Sequence, residues 1–162
     1  PIGGVQLAAK LGAVSADHLT AITDEGIEAL VEGNIVPILL PATTFFLGSD
    51  NYAPGRKMWD RGLPVALATD FNPGSSMTQS MPLVISIACL KLKLTPLEAL
   101  QAATYHAAKS LLLDDRCGSL EKGKQADFVI WRFDRYQGIP YFLVYPSVQS
   151  VWKKGIRVWE MK

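Results

Sequence analysis

Ile35–Leu40 reads IVPILL, six residues without a charge or a hydroxyl, and this run constrains the fold more than any other feature. A strand so continuously apolar is covered on both faces, as strands of a parallel sheet are when helices pack over them. Pro37 inside the run predicts a bend or irregular pairing. Two further runs flank it: Ala13–His18, which closes on Asp17-His18, and Pro64–Thr69 (PVALAT), which is followed by Asp70. Their starts lie about 22 and 29 residues apart, and helical spacing fills the gaps between them. That is the rhythm of βα units in a parallel sheet or a (β/α)8 barrel.

The helices carry their own punctuation. Val5–Leu11 has helical spacing and is stopped by Gly12. Thr23 is an N-cap for a helix with Ile27, Leu30 and Val31 on one face, ended by Gly33-Asn34. Pro41-Ala42-Thr43-Thr44 opens a loop that runs to Ala53, and Pro54–Arg61 is a helix closed by Gly62. Helices are expected over Gln79–Leu92 and Pro96–Leu112. The latter is announced by Thr95 as N-cap, Pro96 at the first helical position and Glu98 at the third. From Gly118 the pattern changes. Asp127–Arg132, Val148–Lys153 and Ile156–Glu160 read as strands, with Lys154-Gly155 as a hairpin turn. Trp131, Trp152 and Trp159 fall in this tail and are expected in its core. The fold class is therefore α/β, about three βα units and an added helix over residues 1–117, then a short β tail over 118–162. Three units do not close a barrel.

Composition narrows the function classes. Sixteen Lys and Arg against fifteen Asp and Glu leave a net charge of +1, without the basic excess of a nucleic-acid or anionic-membrane binder. No run approaches the roughly 18 to 20 apolar residues of a membrane span, and Met81–Leu94 is interrupted by Lys91 and Lys93. Pro1-Ile2-Gly3-Gly4 has neither the basic nor the apolar region of a secretion signal. Cys89 and Cys117 are the two cysteines and form no CxxC pair, which points to a reducing, cytoplasmic setting.

In βα architectures function collects at the carboxyl ends of the strands, where His18 and Asp70 stand. Each has a plainer reading, the histidine as a hydrogen-bonded structural residue and the aspartate as an organiser of the next turn. At the same edge of one sheet they are more suggestive together. Phe71-Asn72-Pro73-Gly74-Ser75-Ser76 then sets amide, backbone and hydroxyl donors beside the carboxylate. These donors suit a carboxylate or carbonyl ligand, and the same residues also read as a simple tight turn. His106 stands mid-helix and reads as structural.

Ser15-Ala16-Asp17-His18-Leu19, Leu39-Leu40-Pro41-Ala42-Thr43-Thr44-Phe45 and Ala68-Thr69-Asp70-Phe71-Asn72-Pro73-Gly74-Ser75 resemble the imidazolonepropionases of the amidohydrolase superfamily. So does Gly118-Ser119-Leu120-Glu121-Lys122-Gly123-Lys124-Gln125-Ala126-Asp127, a GxLxxGxxAD pattern that in the wider superfamily marks the return of the chain into a β unit beside the barrel. The resemblance implies strands six to eight of a (β/α)8 barrel followed by part of an accessory β-sandwich. It implies hydrolysis of the ring amide of 4-imidazolone-5-propanoate to N-formimino-L-glutamate, a step of histidine breakdown, with a divalent metal, zinc or iron, activating water. It assigns Asp70 as metal ligand and proton acceptor, His18 to the attacked carbonyl and the attacking water, and Asn72, Gly74 and Ser75 to the substrate. A homodimer is implied for the complete enzyme. Members run to about 400 residues, and their first-strand His-x-His pair, strand-five histidine and nearby glutamate have no counterpart among these 162. The missing amino-terminal barrel half is thus expected to be needed for the site, and the 162 residues alone are expected to be inactive. Two other readings are an inactive partial-barrel module for structure or interaction, and another cyclic-amide hydrolase or deaminase on the same scaffold.

Overall fold

In the computed structural model, residues 2–143 and 145–162 are described; Pro1, the first residue of the opening read for a leader, lies outside them. Three strands, β1 (Ser15–Asp17), β2 (Val36–Leu39) and β3 (Ala66–Leu67), form a parallel sheet in that order. They are shorter than the apolar runs that contain them. Asp17 pairs with Ile38 and Leu39 with Leu67, so the three carboxyl ends lie side by side.

Pro37 does not disturb this sheet. Its neighbour Val36 donates its N–H to Val14 on the β1 side, so the nitrogen of Pro37 faces β3. Pairing with β3 starts only at Ile38, and the missing N–H of proline costs the ladder nothing.

Helix α1 (Gly4–Lys10) precedes β1, and the chain turns out of it at Gly12, φ 66°. Helix α2 (Asp24–Glu32) is capped by Thr23, whose side chain accepts from the N–H of Gly26, and buries Ile27 and Leu30. The segment from Pro41, read above as a loop to Ala53, instead begins with a short helix, α3 (Pro41–Phe46). Proline at the first helical position is pre-organised for that turn, and the first four residues are buried. Helix α4 (Gly55–Asp60) follows and buries Met58.

Helix α5 (Met81–Lys91) is capped by the Ser80 side chain and buries Val84, Ile85, Ile87 and Ala88. The expected single helix over 96–112 is broken into α6 (Pro96–Ala103) and α7 (Tyr105–Lys109). The capping box of Thr95 and Glu98 forms as its spacing predicts. The break falls at Thr104, φ −128° and ψ −85°, where the backbone comes against Gly118. Helix α6 then packs on β3, and α7 reaches both β3 and β2.

A second, antiparallel sheet comprises β4 (Phe128–Trp131), β5 (Val148–Lys153) and β6 (Ile156–Glu160). Lys154 and Gly155 both have positive φ, 52° and 75°, as a two-residue I′ hairpin requires. The tail meets the helical layer through α8 (Gly138–Tyr141). Ile139 enters the main core, and Ser86 Oγ lies 2.9 Å from the Pro140 carbonyl. Trp131 packs against the core and Trp152 stacks on Phe128 at 5.4 Å. Trp159, expected in the core, is instead exposed, because all of β6 is exposed at the edge of its sheet. No helix is long and apolar enough to cross a membrane among the described residues.

Candidate active site

The aligned carboxyl ends of β1 to β3 gather the polar residues in question. His18 immediately follows β1, and its N–H donates to Ile38 at 3.0 Å, tying it to β2. His18 and Leu19 both adopt left-handed backbone, φ 67° and 60°, so the chain turns sharply away from the strand. Asp70, three residues beyond β3, is also left-handed at φ 50°. Such conformations are uncommon outside glycine, and surrounding structure has to hold them in place. The two side chains meet: His18 Nε2 lies 4.0 Å from Asp70 Oδ2, with the imidazole half-exposed and the carboxylate less so.

The loop after Asp70 is tightly organised. Asn72 and Ser76 exchange backbone hydrogen bonds of 3.1 and 3.3 Å. The Asn72 amide donates to the Asp70 carbonyl at 2.7 Å and reaches Ser75 Oγ at 3.0 Å. Its oxygen accepts from the N–H groups of Gly74 and Ser75, both at 2.9 Å. Both hydrogens and both lone pairs of that amide are engaged inside the loop. Fully buried Ser76 donates its hydroxyl to the Thr69 carbonyl at 2.7 Å.

The sequence reading gave one of these contributors no role. Thr43, on α3, donates its hydroxyl to Asp70 Oδ2 at 2.8 Å. Its place was hidden by reading Pro41–Ala53 as a loop, although proline after an apolar strand was a usable helix-start signal. Ser76, read in the sequence as one of the donors beside the carboxylate, instead turns its hydroxyl inward to the Thr69 carbonyl. His18, Asp70, Asn72, Gly74 and Ser75 are all brought to this one edge. Asp17 is exposed at the end of β1.

Among the described residues, no three His, Cys, Asp or Glu side chains converge as a metal donor set. A catalytic zinc takes about three protein ligands, and Asp70 with His18 makes two at most. The residues of this chain do not by themselves fit a metal ion.

His106 lies elsewhere. Its Nδ1 is 3.0 Å from the carbonyl of Val65, before the start of β3 and so at the opposite end from Asp70. Its ring sits 5.2 Å from that of Trp59. Burial pushes its pKa below the usual imidazole value, the bond to Val65 opposes this, and Lys109 adds to the lowering. It holds α7 to the sheet.

A parallel βα sheet with polar groups gathered at its carboxyl edge is where α/β enzymes place their active sites. Residues 8–158 match the amidohydrolase family, and the chain belongs to that family. The chain is 48% identical over 155 residues to the imidazolonepropionase of Bacillus cytotoxicus, and 47% identical to that of Bacillus mycoides. In each case the match covers 96% of this chain and 37% of the relative, so the chain spans little more than a third of these proteins. Among solved structures it is similar to an adenosine deaminase from Xanthomonas campestris with bound zinc. There the TM-score is 0.79 at 26% identity, over 94% of this chain and 39% of that one. The A. niger ochratoxinase superposes with a TM-score of 0.81 at 26% identity, over 96% of this chain and 39% of its own.

Proposed function

We propose that these residues form the carboxyl-terminal part of an imidazolonepropionase, which hydrolyses the ring amide of 4-imidazolone-5-propanoate to N-formimino-L-glutamate. The observation that carries the reading is the meeting of His18 and Asp70 at the carboxyl edge of a parallel sheet, in a chain 48% identical to an imidazolonepropionase. In this reading β1, β2 and β3 are barrel strands six, seven and eight. Residues 1–117 belong to the barrel, and residues 118–162 are a β tail from an accessory sandwich. The missing amino-terminal half supplies the remaining strands, and the complete enzyme is a homodimer. Cys89 and Cys117 are both free thiols, which supports a cytoplasmic, reducing setting.

Each residue then has a task. The Asp70 carboxylate accepts the proton of the attacking water as the water oxygen bonds to the ring carbonyl carbon. That proton reaches the ring nitrogen as the C–N bond breaks. His18, half-exposed beside Asp70, donates a hydrogen bond to the carbonyl oxygen as it gains charge. Asn72, Gly74 and Ser75 are assigned to the propanoate chain, and because their donors close the loop on itself they act by shaping the wall beside it. Asp70 is also one donor to a divalent metal, zinc or iron, whose other ligands come from outside these 162 residues. The zinc in the similar deaminase structure supports this.

The test is made on the complete polypeptide that the gene encodes, supplied with imidazolonepropionate. Formiminoglutamate should appear. Asp70→Asn should reduce turnover by roughly 1,000-fold, and His18→Ala should lower kcat roughly 100-fold with metal content kept. The 162-residue chain alone should show no turnover. Ammonia release from a purine by the wild type, without formiminoglutamate, would move the protein to the deaminases. Full activity in Asp70→Asn would sink the assignment.

A further inference from the structure

We propose that Thr43 is a positioning residue for Asp70, fixing which carboxylate oxygen is left to act; the role in turnover rests on the reading above. Thr43 is almost entirely buried, on the first turn of α3 and directly after β2. Its hydroxyl donates to Asp70 Oδ2 at 2.8 Å across 27 residues of sequence. No other described hydrogen bond reaches the Asp70 carboxylate, and none reaches Oδ1. The remaining ties act on the backbone around it: Asn72 holds the Asp70 carbonyl, and Ser76 holds the carbonyl of Thr69.

The division of labour follows from these contacts. Asp70 has left-handed backbone, so its side-chain direction is not dictated by a regular strand. The Asn72 and Ser76 bonds set where the α-carbon sits. The remaining freedom is rotation of the carboxylate, and the Thr43 hydroxyl removes it. With Oδ2 engaged by Thr43 and facing His18 Nε2 at 4.0 Å, Oδ1 is the oxygen left for the reaction. A reacting group displaced by about 1 Å can cost as much as 100-fold in rate, so a single well-placed hydroxyl has consequences for turnover. Thr43 does not touch the reacting atoms itself.

Two variants of the complete polypeptide separate this role from packing. Thr43→Val keeps the shape and removes the donor, whereas Thr43→Ser keeps the donor and removes a methyl group. Thr43→Val should lower kcat roughly 10- to 100-fold with KM within about twofold, and Thr43→Ser should recover kcat to within about threefold of wild type. A Thr43→Val enzyme with wild-type kcat, or a Thr43→Ser enzyme no better than Thr43→Val, would overturn the proposal. If the wild type hydrolyses no imidazolonepropionate, it is the functional reading that has failed. Crystal structures of wild type and Thr43→Val then decide the geometry. The proposal expects the Asp70 carboxylate to leave its wild-type rotamer, and an unchanged rotamer refutes it.

Discussion

At Asp70 and His18 the backbone takes conformations that neither residue prefers, and a few hydrogen bonds hold them there. His106 shows the opposite use of a histidine, because its ring is a tie between α7 and the start of β3 rather than a reactive group. Burial lowers its pKa, so the unfolded chain binds the proton more readily than the folded one. Its contribution to stability is therefore complete above about pH 6.5, the ordinary imidazole value. It is lost as the pH falls from there through the lowered folded-state value. Denaturant midpoints of wild type and His106→Gln, measured at pH 7.5 and pH 5, should show the wild-type advantage shrinking at the lower pH. A pH-independent gap would mean that proton binding to His106 is not coupled to folding.

The break between α6 and α7 is a matter of elements. Thr95, Pro96 and Glu98 announce the helix start correctly, yet the helical pattern running on to Leu112 conceals the interruption at Thr104. What packs against it comes from outside the segment. Gly118 lies against Ala108 and the backbone of Thr104 and Tyr105. A β-carbon at Gly118 would stand 2.7 Å from Ala108 Cβ and 3.0 Å from the Thr104 carbonyl oxygen. Its φ of 90° adds a backbone penalty for any other residue. Gly118→Ala should thus destabilise the fold by about 2 kcal/mol or more in chemical denaturation, combining overpacking with left-handed strain. An unchanged midpoint would show that the contact relaxes easily. The same glycine opens the GxLxxGxxAD stretch, so the first position of a motif legible in sequence is explained by this close approach.

On the scale of the whole molecule, the three-stranded parallel sheet has β1 and β3 as its outer strands. Large apolar side chains are exposed in the part of the chain that carries this sheet, among them Leu7, Leu11, Phe45, Phe46 and Phe71. Short unpaired edges beside apolar surface favour association. The 162-residue chain expressed alone should therefore elute as oligomers or aggregates, with light scattering well above the 17.7 kDa monomer. The complete polypeptide should give one discrete species. A monodisperse 17.7 kDa monomer with cooperative unfolding would show that the 162 residues stand as an independent unit.

Local chemistry determined much of this protein. The apolar runs, Thr23 and Thr95 as caps, Gly12 and Gly62 as stops, and Lys154-Gly155 as a hairpin all act over a few residues, so they are legible from order alone. The same holds for His18 and Asp70 as polar residues closing apolar strands. What the sequence left undecided depended on contacts between distant segments. Pro37 is harmless because its nitrogen faces the side where pairing has not begun, and Trp159 is exposed because β6 is an outer strand. Thr43 becomes a partner of Asp70 only when α3 forms and folds back against the end of β3. A hydrogen bond between residues 27 apart leaves no periodicity, and only the tertiary structure brings its two ends together.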